Sequence, residues 1–426
     1  MSVHTSGLTA QPQLASVATD APLADRTVAV VHPAWHSCGA YEVYVGQARA
    51  YRALGARVIT VACSDNPGYA PTSSRWRDYR RLTPELEGFP RHFAGVAFRR
   101  FFRPHYLRRL SLPYWRGDWA TMRLEFSIVS DISEGMTQER PHLVHCNHFF
   151  CMPIAHRIAR GVQIVLDTID VQARQFDLNN DAARVILPPR ATYASMLTQE
   201  LDAMRRAAAL LHLNVEEKAF FETRLPDSPH HLLYPAVRDM PGAPGGNDIL
   251  IVASNNTANV ESLAWFLRDV LPRAADPPVK IAGNVDGGLK AKDALLYEKY
   301  RANFLGRVDD LGAVYRRARL VLLPTISGTG LSIKAVEALS TGLPLIASPL
   351  AFRGMTLDPA QLRNVTVAPD ADTFAAALRE AVAHPRAVAA DEIAASDTRR
   401  AYEAHFSTDA YAKNLAKIVL PLVSPA

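Results

Sequence analysis

Short β-branched or leucine-rich runs recur along the chain, each followed by a turn and then by apolar residues at helical spacing. The clearest case is the stretch 320–355. Its apolar run stops at Pro324, a glycine-rich turn occupies 327–330, and a helical pattern continues from Leu331 to about Ser340. Gly342 then ends the helix, and 345–347 form a second apolar run. The pattern predicts a βαβ unit with a glycine turn at the carboxyl end of its first strand, where open parallel sheets bind ligands.

The glycine turn has the properties of an anion site. Glycines let the backbone approach a ligand closely, and the first amides of the following helix have no intrahelical partners. Lys334 falls in the first turn of that helix, where a cation is unfavourable unless it meets an anion. Glu337 lies on the same helix face, so the pair could grip the phosphate and hydroxyls of a nucleotide sugar. An ordinary Lys–Glu surface pair explains the spacing equally well.

The first half of the chain repeats this strand, turn and helix order. A strand is predicted over 27–32, then a loop with Gly39, a helix and a second strand over 57–62. Further strands over 142–146 and 163–166 place Asn147 and His148, and then Asp167 and Asp170, just after strand ends. In a parallel sheet these side chains face the same crevice as Gly39.

A Pro/Gly-rich segment at 240–247 separates this series from a second one, which starts at Asp248. In the second series Asp309 is predicted to cap a helix. At 426 residues, the chain is long enough for two domains of ordinary size. The predicted divisions are a flexible tail over 1–26, a first domain over 27–238, a hinge linker over 239–247, a second domain over 248–405, and a carboxyl-terminal helix over 406–426 that packs back on the first domain.

Composition narrows the class of protein. With 48% hydrophobic and 21% charged residues and a net charge of +5, the chain is an ordinary globular protein that permits anionic partners without requiring nucleic acid. Its four cysteines are too scattered for a disulfide framework or a CxxC zinc site. No apolar run approaches the roughly 18 residues of a membrane span. We therefore expect a cytoplasmic enzyme, soluble or peripheral at the inner face of the membrane.

One region departs from the average. Arg75 to Arg123 contains 12 arginines against four acidic residues, with interleaved Trp, Tyr and Phe. This mixture suits an anionic membrane surface, an acidic or lipid-linked acceptor, or single-stranded nucleic acid. We expect the aromatic residues to fill the core and the arginines to face an acceptor or a membrane.

Together these features resemble the GT-B fold glycosyltransferases, specifically the family 4 type (glycosyl transferases group 1). The resemblance rests on NVESLAWFLRDVLP, GRVDDL, LLPTISGTG and GTGLSIKAVEALSTGLPLIAS, in this order over 249–355. The first half resembles the family in outline, through VVHP, the Gly39 loop, LVHCNH and VLDTIDV. The implied fold is α/β, GT-B, with two Rossmann-like domains facing each other across a cleft.

The resemblance also implies roles for individual residues. Glu337 would hold the ribose hydroxyls, while Lys334 and the helix amides would bind the diphosphate. His148, or Asn147 by strict alignment, would contact the donor sugar. Thr329 stands where the family commonly has a glutamate, eight positions before Glu337, so Ser327, Thr329 or backbone amides would replace it. The implied catalytic residues are His148, Lys334 and Glu337, and the implied donor-binding residues are Gly39, Ser254, Asn255, Arg307, Val308, Ser327, Gly328, Thr329, Gly330, Leu331, Lys334 and Glu337.

The implied reaction is transfer of a sugar from a nucleotide diphosphate sugar to an acceptor hydroxyl on a saccharide, a glycolipid or a lipid-linked glycan. Family analogy implies retention of configuration, without a metal or other cofactor. The single DxD string, Asp370 to Asp372, lies directly before a predicted helix and is interpreted as a cap and not as a metal site. A GT-B fold epimerase or phosphorylase and a non-catalytic nucleotide-sugar binding protein are the alternatives.

Overall fold

The computed structural model describes residues 21–36, 39–176, 186–188 and 190–423. Their strands form two separate sheets. The first has eight strands in the spatial order β4-β3-β2-β1-β5-β6-β7-β8, and the second has six in the order β11-β10-β9-β12-β13-β14. Every neighbouring pair is parallel except β3 and β4. The strands are β1 Thr27–Pro33, β2 Arg57–Pro67, β3 Arg91–Val96, β4 Asp131–Ile132, β5 Leu143–Asn147, β6 Ile164–Asp167, β7 Ala209–His212, β8 His230–Leu232, β9 Asp248–Val252, β10 Val279–Ala282, β11 Phe304–Gly306, β12 Ala318–Leu323, β13 Leu345–Ala347 and β14 Val365–Val367.

Helices connect most consecutive strands, as parallel sheets require. The longer ones are α1 Gly39–Ala53, α2 Arg75–Leu82, α3 Trp119–Val129, α4 Met152–Ala159, α5 Tyr193–Met204, α6 Val215–Glu222, α7 Thr257–Trp265, α8 Val285–Lys292, α9 Ala294–Lys299, α10 Leu311–Arg316, α11 Ile333–Thr341, α12 Ala371–Ala383, α13 Asp397–His405 and α14 Thr408–Val423. Short helical turns occupy much of 98–115 and 390–394.

Both faces of the first sheet are buried, which explains its continuous apolar strands. In β1, Val28 and Val30 point to one apolar cluster and Ala29 and Val31 to the other. Helix α14 covers the first of these faces: its Tyr411, Leu415, Val419 and Val423, spaced four apart, join the cluster that contains Val28. The chain therefore ends on the domain in which it began.

The predicted flexible tail is partly wrong. Residues 1–20 lie outside the described part of the chain, but 21–26 are packed. The Leu23 side chain is fully buried in the same cluster as α1, and its N–H donates to the Leu54 carbonyl at 3.0 Å. A single leucine among small and polar residues carried too weak a pattern to predict this contact.

The Pro/Gly segment between the domains is packed against the second domain and is not a free linker. Val237 and Met240 belong to an apolar cluster of the second sheet, and the Gly242 N–H donates to the Thr341 carbonyl at 2.9 Å. A Cβ on Gly242 would lie 2.7 Å from that same carbonyl oxygen. Glycine is therefore needed at this position because the two backbones approach each other closely.

Two further findings concern individual elements. Asp310, not Asp309, caps α10, because the Asp310 side chain accepts a hydrogen bond from the Ala313 N–H at 3.1 Å. Among the helices of the described residues, none is long and apolar enough to cross a membrane.

Candidate active site

The glycine turn lies where strand β12 ends, and it leads into helix α11. Gly328 and Gly330 have φ values of 125° and 67°, in the left-handed region that glycine adopts most readily. Ser332 caps the helix by accepting a hydrogen bond from the Ala335 N–H at 3.3 Å. The turn therefore presents backbone and the first amides of a helix at the carboxyl edge of a parallel sheet.

Lys334 and Glu337 are in direct contact on α11. The Lys334 ammonium donates to the Glu337 carboxylate oxygens at 2.8 Å and 3.1 Å. Glu337 is 8% exposed, and the buried Tyr315 hydroxyl approaches its carboxylate at 3.5 Å. The lysine and the glutamate thus neutralise each other, so a phosphate would have to share the Lys334 ammonium with Glu337.

The first domain reaches this turn from the other side. Asp170 follows strand β6, and its carboxylate lies 3.2 Å from the position that a Cβ on Gly330 would take. Nearby, the Val215 N–H at the start of α6 donates to the Gly354 carbonyl at 3.1 Å. The glycine turn of the second domain therefore lies at a contact between the two domains.

Asp170 is held in place by its own loop. Its φ is 69°, an unusual value for a residue with a side chain. Glu200 fixes the loop by accepting hydrogen bonds from the N–H groups of Gln172 and Ala173 at 2.9 Å and 3.1 Å. Burial raises the pKa of Asp170 above its ordinary value. The loop thus holds the Asp170 carboxyl group against the glycine turn in a surrounding of low dielectric constant.

His148 is buried at the end of strand β5. Its φ is 63°, its Nε2 lies 2.9 Å from the Tyr44 hydroxyl, and its ring stacks on Phe150 with centroids 4.9 Å apart. Its Nδ1 is enclosed and has no hydrogen-bond partner among the described residues. Burial lowers the pKa of His148 to about 3, so the imidazole is neutral at physiological pH.

Asn147, the other position considered for a sugar contact, belongs to the core. It is the last residue of β5 and is fully buried. Its side-chain amide exchanges two hydrogen bonds with that of Gln47, at 2.8 Å and 2.9 Å, and Gln47 also donates to Asp167 at 2.9 Å. Burial raises the pKa of Asp167 to about 8. The side-chain amides of Gln47 and Asn147 therefore have a structural role, because their hydrogen bonds connect helix α1 to strands β5 and β6.

Comparison with known proteins assigns the second domain. Residues 246–384 match the family model described as Glycosyl transferases group 1. These residues are a group 1 glycosyltransferase domain. Phosphatidyl-myo-inositol mannosyltransferase from Mycobacterium leprae is 37% identical over 116 residues, which cover 24% of this chain and 31% of that protein. The chain thus aligns with about a third of the length of this curated relative.

Solved structures extend the likeness to both domains. Sucrose-phosphate synthase from Thermosynechococcus elongatus matches with a TM-score of 0.59 at 16% identity, covering 93% of this chain and 99% of that one. Anabaena Alr3699/HepE in complex with UDP matches with a TM-score of 0.56 at 13% identity, covering 92% and 99%. At such identities the likeness shows the fold. The predicted GT-B fold is confirmed, and the recognition of a group 1 glycosyltransferase is confirmed for residues 246–384.

Four other predicted positions of the group 1 domain lie on loops at the same edge of its sheet. Ser254 and Asn255 follow β9, and both are engaged in the loop. Asn259 donates to the Ser254 carbonyl and hydroxyl, each at 3.0 Å, and the Asn255 N–H donates to Asn284 at 2.9 Å. Arg307 and Val308 follow β11, and Val308 packs on the cluster of the group 1 domain beside α11.

Gly39, on the first domain, begins helix α1, and a Cβ there would meet no atom of the described residues within 4 Å, its chain neighbours aside. Crowding by the protein therefore does not explain the glycine. Asp370, in contrast, has a clear structural role: its side chain accepts from the Thr373 N–H at 2.9 Å and caps α12. The interpretation of the DxD string as a cap is confirmed.

Sequence reasoning missed one residue at the turn of the group 1 domain. The Arg353 guanidinium lies over the turn, with Nη2 2.8 Å from the position that a Cβ on Gly328 would take. Its Nη1 donates to the Leu350 carbonyl at 3.2 Å. The only sequence signal was its place in the loop after β13, at the edge where parallel sheets bind ligands.

The basic and aromatic region only partly follows the expectation that its aromatic residues fill the core. Trp76 and Phe101 are buried, but Phe98 and Phe102 are 55% and 59% exposed on the short helical turns of 98–115. The segment contributes Phe101 and Leu110 to a small apolar cluster shared with β3 and α3, and Phe98 and Phe102 lie outside this cluster. The prediction was wrong for Phe98, Phe102 and Tyr114, which is 37% exposed.

Proposed function

We propose that the chain transfers a sugar from a nucleotide diphosphate sugar to an acceptor hydroxyl, with retention of configuration and without a metal cofactor. The observation that carries this proposal is the Lys334–Glu337 pair at the start of α11, beside a glycine turn and opposite a carboxylate of the other domain. The group 1 match over residues 246–384 supports the same reaction class.

The proposed mechanism stabilises the leaving diphosphate. As the bond from the sugar to the diphosphate breaks, negative charge grows on the phosphate oxygens, and amides and cations already aimed at them lower the barrier. The amides near Gly330 and Leu331 and the Lys334 ammonium would supply this stabilisation. Glu337 would accept hydrogen bonds from the ribose hydroxyls, and Ser327 or Thr329 would contact the sugar.

The first domain would supply further contacts in this proposal. Gly39 would let the backbone approach the diphosphate from the opposite side. Neutral His148 would bind a sugar hydroxyl through a hydrogen bond, since its lowered pKa argues against a role as a charged acid. Ser254, Asn255, Arg307 and Val308 would border the nucleotide.

We propose a UDP-sugar as the donor, because the structural relative from Anabaena is described in complex with UDP. The test is a thermal-shift comparison of UDP, GDP and ADP and of their sugar derivatives. A ligand at 100 times its Kd adds about 2.7 kcal/mol to the free energy of unfolding. We expect UDP to raise the melting temperature, and no shift with any nucleotide would contradict the proposal.

The proposed acceptor is a saccharide or a lipid-linked hydroxyl at an anionic membrane surface. Phe98 and Phe102 are exposed on a segment that also carries the exposed Arg99, Arg103 and Arg108. Apolar rings beside cations suit the interface of an anionic bilayer. Sedimentation with anionic vesicles should fall steeply between low and high salt and should weaken when the three arginines become glutamine; salt-independent sedimentation would contradict this surface.

A non-catalytic nucleotide-sugar binding protein is the second candidate, favoured by one observation: Thr329 occupies the place of a carboxylate in the turn. Turnover separates the two. An enzyme releases the nucleotide from its sugar in the presence of an acceptor, or slowly by hydrolysis, whereas a binding protein leaves the nucleotide sugar intact at full occupancy.

A further inference from the structure

Arg353 is placed at the meeting point of three segments. Its guanidinium lies over Gly328, and the next residue, Gly354, has a φ of 76°. The Gly354 carbonyl accepts the Val215 N–H from the first domain, and a Cβ on Gly354 would come within 2.9 Å of Asn214. The backbone next to Arg353 is therefore fixed against the other domain, and the side chain is anchored over the glycine turn by the hydrogen bond from its Nη1 to the Leu350 carbonyl.

The charge of Arg353 is poorly compensated. Its Nε is enclosed and has no hydrogen-bond partner among the described residues. Burial lowers the pKa of the guanidinium below its ordinary value, and the negative charge of Glu216, which acts in the opposite direction, does not cancel this effect. A half-buried cation with an unpaired donor raises the free energy of the folded state unless an anion binds to it.

Lys334, at the start of helix α11, is in the opposite situation. Its ammonium already donates to both oxygens of Glu337. An arriving phosphate would therefore compete with Glu337 for Lys334, whereas Arg353 forms no ion pair with a carboxylate of the described residues. Arginine is also the better partner in geometry, since its planar fork matches two phosphate oxygens at once.

We propose that Arg353 binds a phosphate group at the Gly328 turn and is a substrate-contacting residue of this site. The inference rests on the proposed function and extends it, because it names a cation that the sequence did not predict. The phosphate has two possible sources with the same chemistry, the diphosphate of the donor and a phosphate carried by the acceptor.

The test uses the full chain with Arg353→Gln and Arg353→Lys, and with Arg386→Gln as a matched control. Arg386 is an exposed arginine paired with Glu392, outside the set of residues placed at the site. Calorimetry measures binding of UDP and of uridine, which lacks phosphate. If the donor supplies the phosphate, Arg353→Gln weakens UDP binding by about tenfold or more and leaves uridine unchanged. Arg353→Lys recovers part of the loss, and Arg386→Gln behaves as wild type.

A second arm separates the two sources. If the acceptor supplies the phosphate, Arg353→Gln leaves UDP binding unchanged but weakens binding to phosphatidylcholine vesicles that contain phosphatidylinositol, and leaves pure phosphatidylcholine vesicles unaffected. Unchanged binding of both UDP and these vesicles by Arg353→Gln would overturn the inference. Should Arg353→Gln fail to fold, the same measurements on Arg353→Lys decide, with equal affinity to wild type counting against the proposal. Failure of the wild-type chain to bind any nucleotide overturns the proposed function instead.

Discussion

Replacing Lys334 by methionine and Glu337 by glutamine, singly and together, separates a donor grip from an ordinary ion pair. Both replacements remove the charge; glutamine keeps the length of glutamate, and the unbranched methionine side chain follows that of lysine up to its terminal ammonium. In the wild-type protein the ammonium lies 2.8 Å from the carboxylate of a largely buried glutamate, so each single replacement leaves one charge without its partner at a half-enclosed site. The double replacement removes both charges.

The size of the effect on stability follows from burial. Breaking a fully buried pair costs about 3–5 kcal/mol, and an exposed pair is worth about 0–1 kcal/mol. The lysine side chain is 30% exposed and the glutamate 10%, so we expect each single replacement to lower the free energy of unfolding by about 1–2 kcal/mol. The double replacement should cost less than the sum, with a coupling energy of about 1 kcal/mol.

Ligand binding is the more decisive assay. Lys334 would contact only the diphosphate, so Lys334→Met should weaken UDP binding by about tenfold, the value of one charge-assisted hydrogen bond, and leave uridine binding unchanged. Glu337 would contact the ribose, so Glu337→Gln should weaken UDP and uridine alike. Calorimetry with the two ligands and urea titrations without ligand give both sets of values.

The two assays can also disagree with this reasoning. If both variants lose stability in urea but bind UDP as tightly as the wild-type chain, the two residues form a structural ion pair and the grip is refuted. If Glu337→Gln weakens UDP but not uridine, the carboxylate acts through Lys334 and does not hold the ribose.

Three further predictions concern the rest of the fold. Tyr402→Phe removes a buried hydroxyl that donates to the Val237 carbonyl at 2.7 Å. We expect it to lower the free energy of unfolding, measured in urea, by about 1–2 kcal/mol. Leu415→Ala opens a cavity under helix α14 and should cost about 2–5 kcal/mol, whereas Lys417→Ala, at an exposed position of the same helix, should cost almost nothing. Stability should fall as pH rises from about 6.5 to 8, because burial raises the pKa of Asp167 to about 8 and of Glu200 to about 7, so the folded state holds protons that the unfolded state has lost. Asp167→Asn should flatten this slope in urea midpoints, and an unchanged slope would contradict the assignment. Below about pH 6.5 a second effect sets in, because the unfolded chain protonates histidines whose pKa burial lowers to about 3 or 4, namely His32, His145, His148 and His212; these lower stability as pH falls, and the carboxyl groups of Asp167 and Glu200 oppose that fall.

Local pattern predicted the elements around the glycine turn closely. The apolar run at 345–347 is strand β13 as predicted, and Lys334 lies in the first turn of α11 because Ser332 caps the helix just before it. Here each signal, the cap, the periodicity and the terminal Gly342, is carried by neighbours in the sequence, so spacing alone was sufficient.

Contacts between residues that are distant along the chain could not be predicted from the sequence. Asn147 and Asp167 were expected just beyond their strands, facing a crevice, but each is the last residue of its strand and is buried. Burial of these polar groups is tolerated because Gln47, about a hundred residues away along the chain, bonds to both. Arg353 was missed for the same reason, because its relation to Gly328 exists only in the folded chain.

The chain crosses between the two domains twice, near Val237 and near Phe406, and the two crossing segments lie side by side. The Val237 N–H donates to the Phe406 carbonyl at 2.9 Å, and the Tyr402 hydroxyl donates to the Val237 carbonyl, so the outgoing linker and the returning segment before α14 are fastened together. Because both hydrogen bonds meet at Val237, the two crossing segments are held together where the chain passes between the domains, and they would move as one unit if one domain rotated against the other.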